Sequence, residues 1–449
     1  MPERADITYF GAGPALLPTD VLETAAAALV NYNGTGLGLA EHSHRSELAT
    51  NIVNTTKKDL AAYLDIPDDY EVLFMQGGGS GEFSATVYNM VAVWVERRKQ
   101  KILKELGVED SKQLPENVIN ELQKAVNEDL KIDYLVTGSW SLKASQEAAR
   151  LIGPEHVNVA ADAREINGGK FGKIPEESAW KLSKNSAMVY YCDNETVDGV
   201  EFPGFPEVLA PKGDDGPIVV ADMSSNILSR RIPVKNFSVI FFGAQKNLGS
   251  TGVTVVIIKK SLLAPAVATA QPALLRKLGI PNGPIVLEYS TIAKNNSLYN
   301  TLSIFDVFIA GQVLKKALST FPNKVDGQQA LSEKKAKLIY AALDAYPESY
   351  KVVPDKSVRS RMNICFRVTH VCSFALENQC KLLTWNKLES GVDDSEKAFL
   401  KGSVEIGLTG LKGHRSVGGI RASNYNSISL EGAEKLAKYI ESFAAGPRK

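Results

Sequence analysis

One lysine stands in a polar turn directly after an apolar strand pattern. The run Val239–Phe242 leads into Gly243-Ala-Gln-Lys-Asn-Leu-Gly-Ser, which presents Lys246 among small residues. Small residues let a ligand approach the backbone closely. A lysine that is shielded from water and near other cations has a lowered pKa and can form a Schiff base with a carbonyl. The alternative is a solvated surface lysine, the commoner case for this residue type.

A carboxylate occupies the equivalent place after a second strand pattern. Asp222 ends the run Ile218–Ala221, and Lys246 follows it by 24 residues, enough chain for one crossover to another strand. In α/β folds, ligand sites lie at the carboxyl ends of strands. A carboxylate there could keep a pyridinium nitrogen protonated, which pyridoxal phosphate (PLP) needs as an electron sink. The alternative is that Asp222 caps the next turn through Ser224 and Ser225.

Two further strand-to-helix junctions suit a flat, phosphorylated ligand. Val72–Met75 runs into Gln76-Gly-Gly-Gly-Ser-Gly, and free amides at the start of a helix bind phosphate without a cationic side chain. The glycines match neither GxxxxGK[ST] nor GxGxxG, so ATP and NAD are poorly supported. Trp140 follows another strand, with Ser139 or Ser141 as the predicted helix cap, and an indole there can stack on an aromatic ring. A tight turn and a core tryptophan are the alternatives.

Two His-Arg dipeptides, each flanked by serine, point to an anionic ligand. They are His44-Arg45 and His414-Arg415, and Arg421 follows the second pair by six residues. The planar guanidinium of arginine matches an oxyanion, and histidine adds a further donor. Together these side chains could hold a substrate with two anionic ends. The alternative is a set of scattered surface cations.

The elements that must position these residues alternate along the first two-thirds of the chain. Helical patterns open at Pro18-Thr-Asp and at Ser141 and cover Thr50–Leu64, and between such patterns lie runs rich in Val, Ile, Phe and Tyr. This alternation predicts an α/β fold with a mainly parallel, seven-stranded sheet. The predicted strands are Val72–Met75, Tyr134–Thr137, Val157–Ala160, Met188–Cys192, Ile218–Ala221, Val239–Phe242 and Val253–Ile258.

The pattern changes after about residue 309. We predict a large α/β domain over residues 16–309 and a smaller α+β domain formed by residues 1–15 and 310–449. Residues 96–131 are predicted to be a helical insertion that packs on the outside of the large domain, with a helix starting at Pro115-Glu116 and an apolar stripe along it. The predicted elements of the small domain are Ala310–Phe321, Gln328–Tyr346, a β-rich stretch at Met362–Val368 and a last helix, Leu430–Phe443, capped by Ser429 or Glu431.

Composition excludes several classes of protein. The 449 residues are 44% hydrophobic and 23% charged, which is ordinary globular usage, and the formal net charge is zero, so binding to nucleic acid or to a membrane surface has no global electrostatic support. No CxxC pair or histidine at metal spacing accompanies the four cysteines, so we expect no metal site and reduced thiols in a cytoplasmic protein. No secretory signal and no transmembrane run is expected.

Several motifs in the order of the chain resemble the phosphoserine aminotransferase family, which belongs to the PLP-dependent class-V aminotransferases. The resemblance extends from about Tyr9 to Phe443. The motifs are Phe10-Gly-Ala-Gly-Pro-Ala, Asn31-Tyr-Asn-Gly-Thr-Gly, Ser43-His-Arg-Ser, Gln76-Gly-Gly-Gly, Thr137-Gly-Ser-Trp, Asn194-Glu-Thr-Val-Asp-Gly-Val, Ala221-Asp-Met-Ser-Ser-Asn, Gly243-Ala-Gln-Lys-Asn, Ser297-Leu-Tyr-Asn-Thr and Lys412-Gly-His-Arg-Ser-Val-Gly-Gly-Ile-Arg-Ala-Ser.

The resemblance implies fold type I of the PLP enzymes, a homodimer with active sites at the subunit interface, and roles for residues around the cofactor. Lys246 would bond PLP and move the proton between Cα and C4′. Asp222 would pair with the pyridine nitrogen, Trp140 would stack on the ring and Thr196 would lie at the ring oxygen. The cofactor phosphate would be held by Gly79, Ser80 and Gln245, together with Asn300 and Thr301 of the partner subunit.

The same resemblance implies the reaction and the residues that hold the substrates. The family transfers an amino group between L-glutamate and 3-phosphohydroxypyruvate, giving O-phospho-L-serine and 2-oxoglutarate. Arg421 would take the substrate α-carboxylate. His414 and Arg415 would bind the substrate phosphate or the side chain of glutamate. His44 and Arg45 would do so as well, contributed across the interface by the other subunit.

Two other functions stay open at this point. One is a PLP enzyme of the same fold that acts on another small or phosphorylated oxo acid, such as the phosphorylated hydroxythreonine precursor of vitamin B6. The other is a non-catalytic binding protein that kept the fold. The two His-Arg pairs favour a phosphorylated substrate, and the presence of both Lys246 and Asp222 argues against a non-catalytic protein.

Overall fold

The computed structural model describes residues 2–111, 113–211, 216–267, 270–369 and 394–446. The α-helices are α1 (Thr19–Val30), α2 (Glu47–Leu64), α3 (Gly78–Leu106), α4 (Glu116–Asp129), α5 (Ser139–Ile152), α6 (Pro272–Lys277), α7 (Tyr289–Lys294), α8 (Ile304–Thr320), α9 (Val325–Asp344), α10 (Asp394–Glu405) and α11 (Leu430–Ala445). The strands are β1 (Thr8–Tyr9), β2 (Tyr70–Met75), β3 (Ile132–Val136), β4 (Val157–Asp162), β5 (Val189–Cys192), β6 (Asn194–Glu195), β7 (Val200–Glu201), β8 (Val219–Asp222), β9 (Val239–Gly243), β10 (Thr254–Lys259), β11 (Tyr350–Val352), β12 (Asn363–Val368), β13 (Leu408–Thr409) and β14 (Ile420–Ser423).

A seven-stranded sheet dominates the first two-thirds of the chain. Its strand order is β2-β10-β9-β8-β5-β3-β4. β10 runs antiparallel to both of its neighbours, and the other strand pairs are parallel. The prediction of an α/β fold with a mainly parallel, seven-stranded sheet is confirmed, and each predicted strand lies within one or two residues of an observed one.

Continuous apolar runs form these strands because both faces of the sheet are covered. Neighbouring side chains alternate between two cores, so Tyr190 lies in the core beneath α3, α4 and α5, whereas Tyr191 lies in the core on the side of α2 and α8. Every residue of β3, β5, β8 and β9 is buried. This rigid platform fixes the carboxyl ends of β5, β8 and β9 relative to one another.

A second, antiparallel sheet has the strand order β11-β12-β14 and lies in the last third of the chain. Its core includes Tyr350, Phe366 and Phe399, together with Phe10 from the N-terminal segment. The short strand β1 pairs in parallel with β13, which ties the N-terminus to this part of the chain. The proposed division at residues 15 and 309 stays a prediction, and α8 runs through the second boundary without a break.

The region predicted as an insertion is helical. α3 continues to Leu106 and α4 follows after Pro115, as the sequence indicates. Val118 and Leu122 of α4 are buried in the core beneath the sheet. One face of this helix therefore belongs to the hydrophobic core of the large domain, although the segment was predicted to pack on the outside. Lys99 is paired with carboxylates of the same segment at 2.9 and 3.0 Å and does not form a free basic patch.

Three further expectations concern thiols, metals and membranes. Cys192 and Cys365 are buried free cysteines, whereas Cys372 and Cys380 lie outside the described residues. Within the described ranges, no cluster of three His, Cys, Asp or Glu side chains is arranged to hold a metal ion. In that same part of the chain, no helix combines the length and apolar character that crossing a bilayer requires.

Candidate active site

The carboxyl ends of two neighbouring strands bring the lysine and the aspartate to one edge of the large sheet. Asp222 is the last residue of β8, and Lys246 lies three residues beyond the end of β9. β8 and β9 are adjacent and parallel, so their ends meet at the same edge. The apolar strand patterns therefore place the two side chains at the edge where open α/β sheets bind ligands.

The amine of Lys246 is the reactive group of this edge. Its Nζ donates a hydrogen bond to Oγ1 of Thr196 at 2.8 Å. Although the side chain as a whole is partly accessible, the amine is surrounded by protein atoms, and this desolvation lowers its pKa to about 8. The Asp222 carboxylate opposes the shift, and the positive charge of Arg421 adds to it. A substantial fraction of Lys246 is therefore uncharged near neutral pH, as attack on a carbonyl requires.

The carboxyl group of Asp222 is buried, with 8% of the residue exposed. Its Oδ1 accepts a hydrogen bond from the backbone N–H of Ser224 at 2.8 Å, so the predicted turn cap is present. Burial raises the pKa of Asp222, while Ser224 and the positive charge of Lys246 lower it. Oδ2 faces Gly79, where an added Cβ would lie 3.8 Å away. Asp222 can thus cap its turn with one oxygen and offer the other to a ligand.

The glycine-rich turn after β2 leads directly into α3, the longest helix of the described chain. Gly77 and Gly78 have φ values of 121° and 64°, a conformation that side chains other than glycine rarely adopt. The amide of Gly78 bonds Oγ1 of Thr254 at 2.9 Å. The next amides, of Gly79 and Ser80, belong to the first turn of α3, where the backbone has no partner within the helix. These amides can bind a phosphate.

Gln76 connects this turn to two more of the predicted residues. Nδ2 of Asn300 donates to Oε1 of Gln76 at 2.5 Å, and Nε2 of Gln76 donates to the carbonyl of Thr301 at 2.9 Å. Both contacts are within one chain. The predicted role of Asn300 and Thr301 at the phosphate of a partner subunit stays a prediction. Gln245 lies beside Lys246, and its carbonyl accepts a hydrogen bond from the amide of Ala15 at 2.8 Å.

Trp140 lies in the first turn of α5, and two buried acids cap this turn. Glu195 accepts hydrogen bonds from the amides of Trp140 and Ser141, each at 2.9 Å. Asp198 accepts one from the amide of Ser139 at 2.7 Å. The N-cap residue of α5 is Gly138, so the prediction of Ser139 or Ser141 at this position is wrong, but Oγ of Ser141 does accept a hydrogen bond from the amide of Gly138 at 3.2 Å. The first amides of the helix bond to carboxylates of the β6–β7 hairpin instead. Anions at a helix N-terminus are favoured by the free amides and the helix dipole.

The indole of Trp140 is held from several sides. Its Nε1 is buried and has no hydrogen-bond partner among the residues that the structure describes. Nζ of Lys143 lies 4.3 Å from the centre of the ring, and the ring of Phe83 lies 6.4 Å away. The ring is therefore fixed beside the strand edge, where it can stack on a planar ligand.

Arg421 and the second His-Arg pair approach the same edge from the small sheet. Arg421 is in β14, and its Nη1 donates to the backbone carbonyl of Thr196 at 3.4 Å. Nδ1 of His414 lies 2.6 Å from Oγ of Ser416. Burial lowers the pKa of the His414 imidazole, and three neighbouring cations lower it further. These cations are Arg421, Lys143 and Arg415.

The first His-Arg pair lies apart from this cluster. His44 and Arg45 form the turn before α2, which Ser46 caps by accepting a hydrogen bond from the amide of Ala49 at 3.2 Å. Nε2 of His44 is buried, and neither residue has a hydrogen bond or ion pair to Lys246 or its neighbours within the described chain. Hydrogen bonds thus connect Lys246 and Arg421 through Thr196, whereas within the described chain none connects His44 or Arg45 to them.

Comparison with known proteins agrees with this geometry. The model of the family "Aminotransferase class-V" matches residues 7–115 and 115–381. The phosphoserine aminotransferase of Saccharomyces cerevisiae is 42% identical over 98% of each chain, and that of Drosophila melanogaster is 37% identical over 97% of this chain and 98% of its own. The chain belongs to the phosphoserine aminotransferase family. It is an aminotransferase, and the predicted resemblance is confirmed.

Solved structures show the same fold. The phosphoserine aminotransferase of Bacillus circulans subsp. alkalophilus superposes with a TM-score of 0.75 at 34% identity, covering 97% of this chain and 98% of that one. A PLP-bound phosphoserine aminotransferase from Trichomonas vaginalis gives a TM-score of 0.74 at 31% identity, covering 97% of this chain and all of that one. Membership of this family implies PLP as the cofactor.

The residues of the strand edge fit PLP. They offer an amine for its aldehyde, a buried carboxyl group for its ring nitrogen, free helix amides for its phosphate and an indole face for its ring. A Cβ added at Gly79 would lie 3.7 Å from Oγ of Ser224 and 3.8 Å from Oδ2 of Asp222. Because Gly79 has no side chain, the space between the glycine turn and Asp222 stays open.

Sequence reasoning assigned no site role to several acids of this region. Glu195 and Asp198 belong to the motif around Thr196, but they act on α5, whose first turn lies more than fifty residues earlier in the chain. Burial raises the pKa of Glu195 to about 7, and Asp198 adds to this shift while hydrogen bonds from Ser141 and Trp140 oppose it. Glu82 was also missed. The only available signal was the presence of acids within otherwise small or apolar motifs.

Proposed function

We propose that the protein is a phosphoserine aminotransferase that moves an amino group between L-glutamate and 3-phosphohydroxypyruvate, giving O-phospho-L-serine and 2-oxoglutarate. One observation carries this proposal. The amine of Lys246 and the guanidinium of Arg421 both bond Thr196, through its hydroxyl at 2.8 Å and its carbonyl at 3.4 Å. An amine that can act as a nucleophile and a cation that can bind a carboxylate therefore meet at Thr196, at the strand edge that also holds Asp222.

PLP, when bound, supplies an electron sink that makes the Cα–H bond of an amino acid acidic. Lys246 would hold the aldehyde end of the cofactor, and its amine would accept and return the proton at Cα. Asp222 would keep a proton on the ring nitrogen, and Thr196 would lie at the ring oxygen. Gly79, Ser80 and Gln245 would hold the phosphate. Trp140 would cover the ring and keep water from one face.

Arg421 would orient the substrate by its α-carboxylate, because a guanidinium binds a carboxylate through two parallel hydrogen bonds. His414 and Arg415 would take the substrate phosphate or the side-chain carboxylate of glutamate. Since the two substrates share a carboxylate and differ at the other anionic end, one site can accept them in turn. Ping-pong kinetics follow from this alternation.

The remaining proposals concern assembly and compartment. We propose a homodimer in which His44 and Arg45 complete the site of the other subunit, because no contact links them to Lys246 within the described chain. The nearby side chains Leu29, Val30 and Leu37 are 45%, 77% and 47% exposed, which suits burial by a second copy. We place the enzyme in the cytoplasm, in line with the free thiols of Cys192 and Cys365.

The substrate assignment is tested by comparing phosphorylated and unphosphorylated oxo acids as amino acceptors. We expect Arg415→Ala to raise KM for 3-phosphohydroxypyruvate about ten- to hundred-fold, because a charge-assisted contact worth about 1.5–3 kcal/mol is lost. KM for hydroxypyruvate, which lacks the phosphate, should change far less. Lys401→Ala removes an exposed cation from α10 and serves as the control. Equal effects of Arg415→Ala on both acceptors would show that Arg415 does not bind phosphate.

A further inference from the structure

A second carboxyl group is buried in the helix that starts beside Asp222, since a Cβ added at Gly79 in the first turn of α3 would lie 3.8 Å from Oδ2 of Asp222. Glu82 is in α3, one helical turn after Gly79, and it is fully buried, with 0% exposed. Oε2 of Glu82 accepts a hydrogen bond from the hydroxyl of Tyr289, in α7, at 2.8 Å. Oε1 is buried without a hydrogen-bond partner in the described part of the chain. Half of the hydrogen-bonding capacity of this group is thus unused.

A purely structural role explains this arrangement poorly. A buried carboxyl oxygen without a partner is costly in free energy. Glutamine or an apolar side chain would fill the same volume without a group that can ionise. Tyr289 is buried as well, and burial raises the pKa of its hydroxyl far above the ordinary value, so this partner stays neutral. The pair places one titratable acid against the interior side of the Asp222 site.

Two titratable groups act on Glu82 from the elements packed around it, Tyr289 in α7 and Asp222 in β8. Burial raises the pKa of Glu82 to about 8, the hydrogen bond from Tyr289 lowers it, and the negative charge of Asp222 raises it. Asp222 is stabilised in its charged form by Ser224 and Lys246. Within the described chain Glu82 accepts a hydrogen bond only from Tyr289, and with a pKa of about 8 it is mostly neutral at neutral pH.

We propose that Glu82 is a positioning residue that acts together with Asp222: as a neutral acid it leaves Asp222 as the one negative charge for the ring nitrogen of the cofactor, and on ionising it adds a second. This inference rests on the proposed function, because it requires PLP with its ring nitrogen at Asp222. The second negative charge stabilises positive charge on the ring and on the nitrogen of Lys246. In alkaline solution the cofactor therefore keeps its protons to a higher pH than Asp222 alone would allow.

The test is a pH titration of the visible absorbance of lysine-bound PLP in the holoenzyme without substrate. The midpoint reports how firmly the proton on the Lys246 nitrogen is held. Glu82→Gln keeps the shape of the side chain and cannot ionise, so its midpoint should lie below that of the wild type by roughly 0.5–1 pH unit. Tyr289→Phe removes the hydrogen bond that favours ionised Glu82 and should lower the midpoint in the same direction.

The control is Glu96→Gln, which changes a buried acid of the same helix that pairs with Lys99 instead of acting on Asp222. Its midpoint should equal that of the wild type. Equal midpoints for the wild type and Glu82→Gln would overturn the inference, as would a midpoint in Tyr289→Phe that does not fall. Absence of any visible lysine-bound PLP in the wild type would instead refute the proposed function, so the two failures are distinguishable.

Discussion

At the scale of single residues, burial tunes the chemistry of the site. Desolvation shifts the pKa of Lys246 downward and that of Asp222 upward, and the attraction between the two groups limits both shifts. As a result, part of the Lys246 amine is uncharged near neutral pH, and the Asp222 carboxyl group can pair with a cationic ring. The residue types and their places after strands were predictable from sequence, whereas the magnitude of the shifts depends on the surrounding packing.

The lowered pKa of Lys246 predicts the pH dependence of cofactor uptake by the PLP-free protein. Only the uncharged amine attacks an aldehyde, and the pKa of Lys246 in the folded protein, about 8, lies below the ordinary lysine value of 10.5. The rate of pyridoxal addition should therefore rise about tenfold per pH unit below pH 8 and level off above it. Stopped-flow absorbance measures this rate. A rise that continues to about pH 10 would show that Lys246 has an ordinary pKa.

At the scale of the elements, two serine caps show how a helix start can serve the site. Ser46 caps α2 directly after His44 and Arg45. Ser429 caps α11 by accepting a hydrogen bond from the amide of Gly432 at 3.1 Å, and it is not one of the predicted site residues. Both caps satisfy an amide that the helix itself leaves free. Only the first one also fixes the conformation of a predicted substrate-binding turn.

Replacing either serine by alanine should therefore cost a similar free energy of unfolding and differ in its effect on catalysis. We expect Ser46→Ala and Ser429→Ala each to lose about 1 kcal/mol, measured by denaturant unfolding at one fixed protein concentration. Ser46→Ala should also raise KM for 3-phosphohydroxypyruvate, because the His44-Arg45 turn loosens. Ser429→Ala should leave KM unchanged. Similar KM values in both variants would show that the His44-Arg45 turn does not take part in substrate binding.

Elements differ in how far the sequence predicts them. The strands were predictable because continuous runs of Val, Ile, Phe and Tyr mark a sheet buried on both faces. The cap of α5 was not, because Glu195 and Asp198 reach it from the β6–β7 hairpin, which no local pattern links to Trp140. The pairing of Glu82 with Tyr289 spans 207 residues and is equally invisible to helical or strand periodicity.

At the scale of the whole molecule, the large sheet positions the proposed catalytic groups and the smaller sheet positions a cation proposed to bind the substrate. Lys246 and Asp222 come from the ends of β9 and β8, whereas Arg421 comes from β14, which pairs with β12 in the second sheet. Thr196 bonds to both sides. The sequence indicated which residues to propose for the site, but the meeting of the two sheets depends on long-range packing that local patterns do not encode.

The central claim is that Lys246 binds PLP at the Asp222 edge and passes an amino group between two substrates. The most direct test is the visible absorbance of the purified holoenzyme before and after L-glutamate, followed by 3-phosphohydroxypyruvate. We expect glutamate alone to abolish the absorbance of lysine-bound PLP, the oxo acid to restore it, and Lys246→Ala to lack it from the start. Absorbance that glutamate leaves unchanged, or a Lys246→Ala variant that still transaminates at the wild-type rate, would contradict the account.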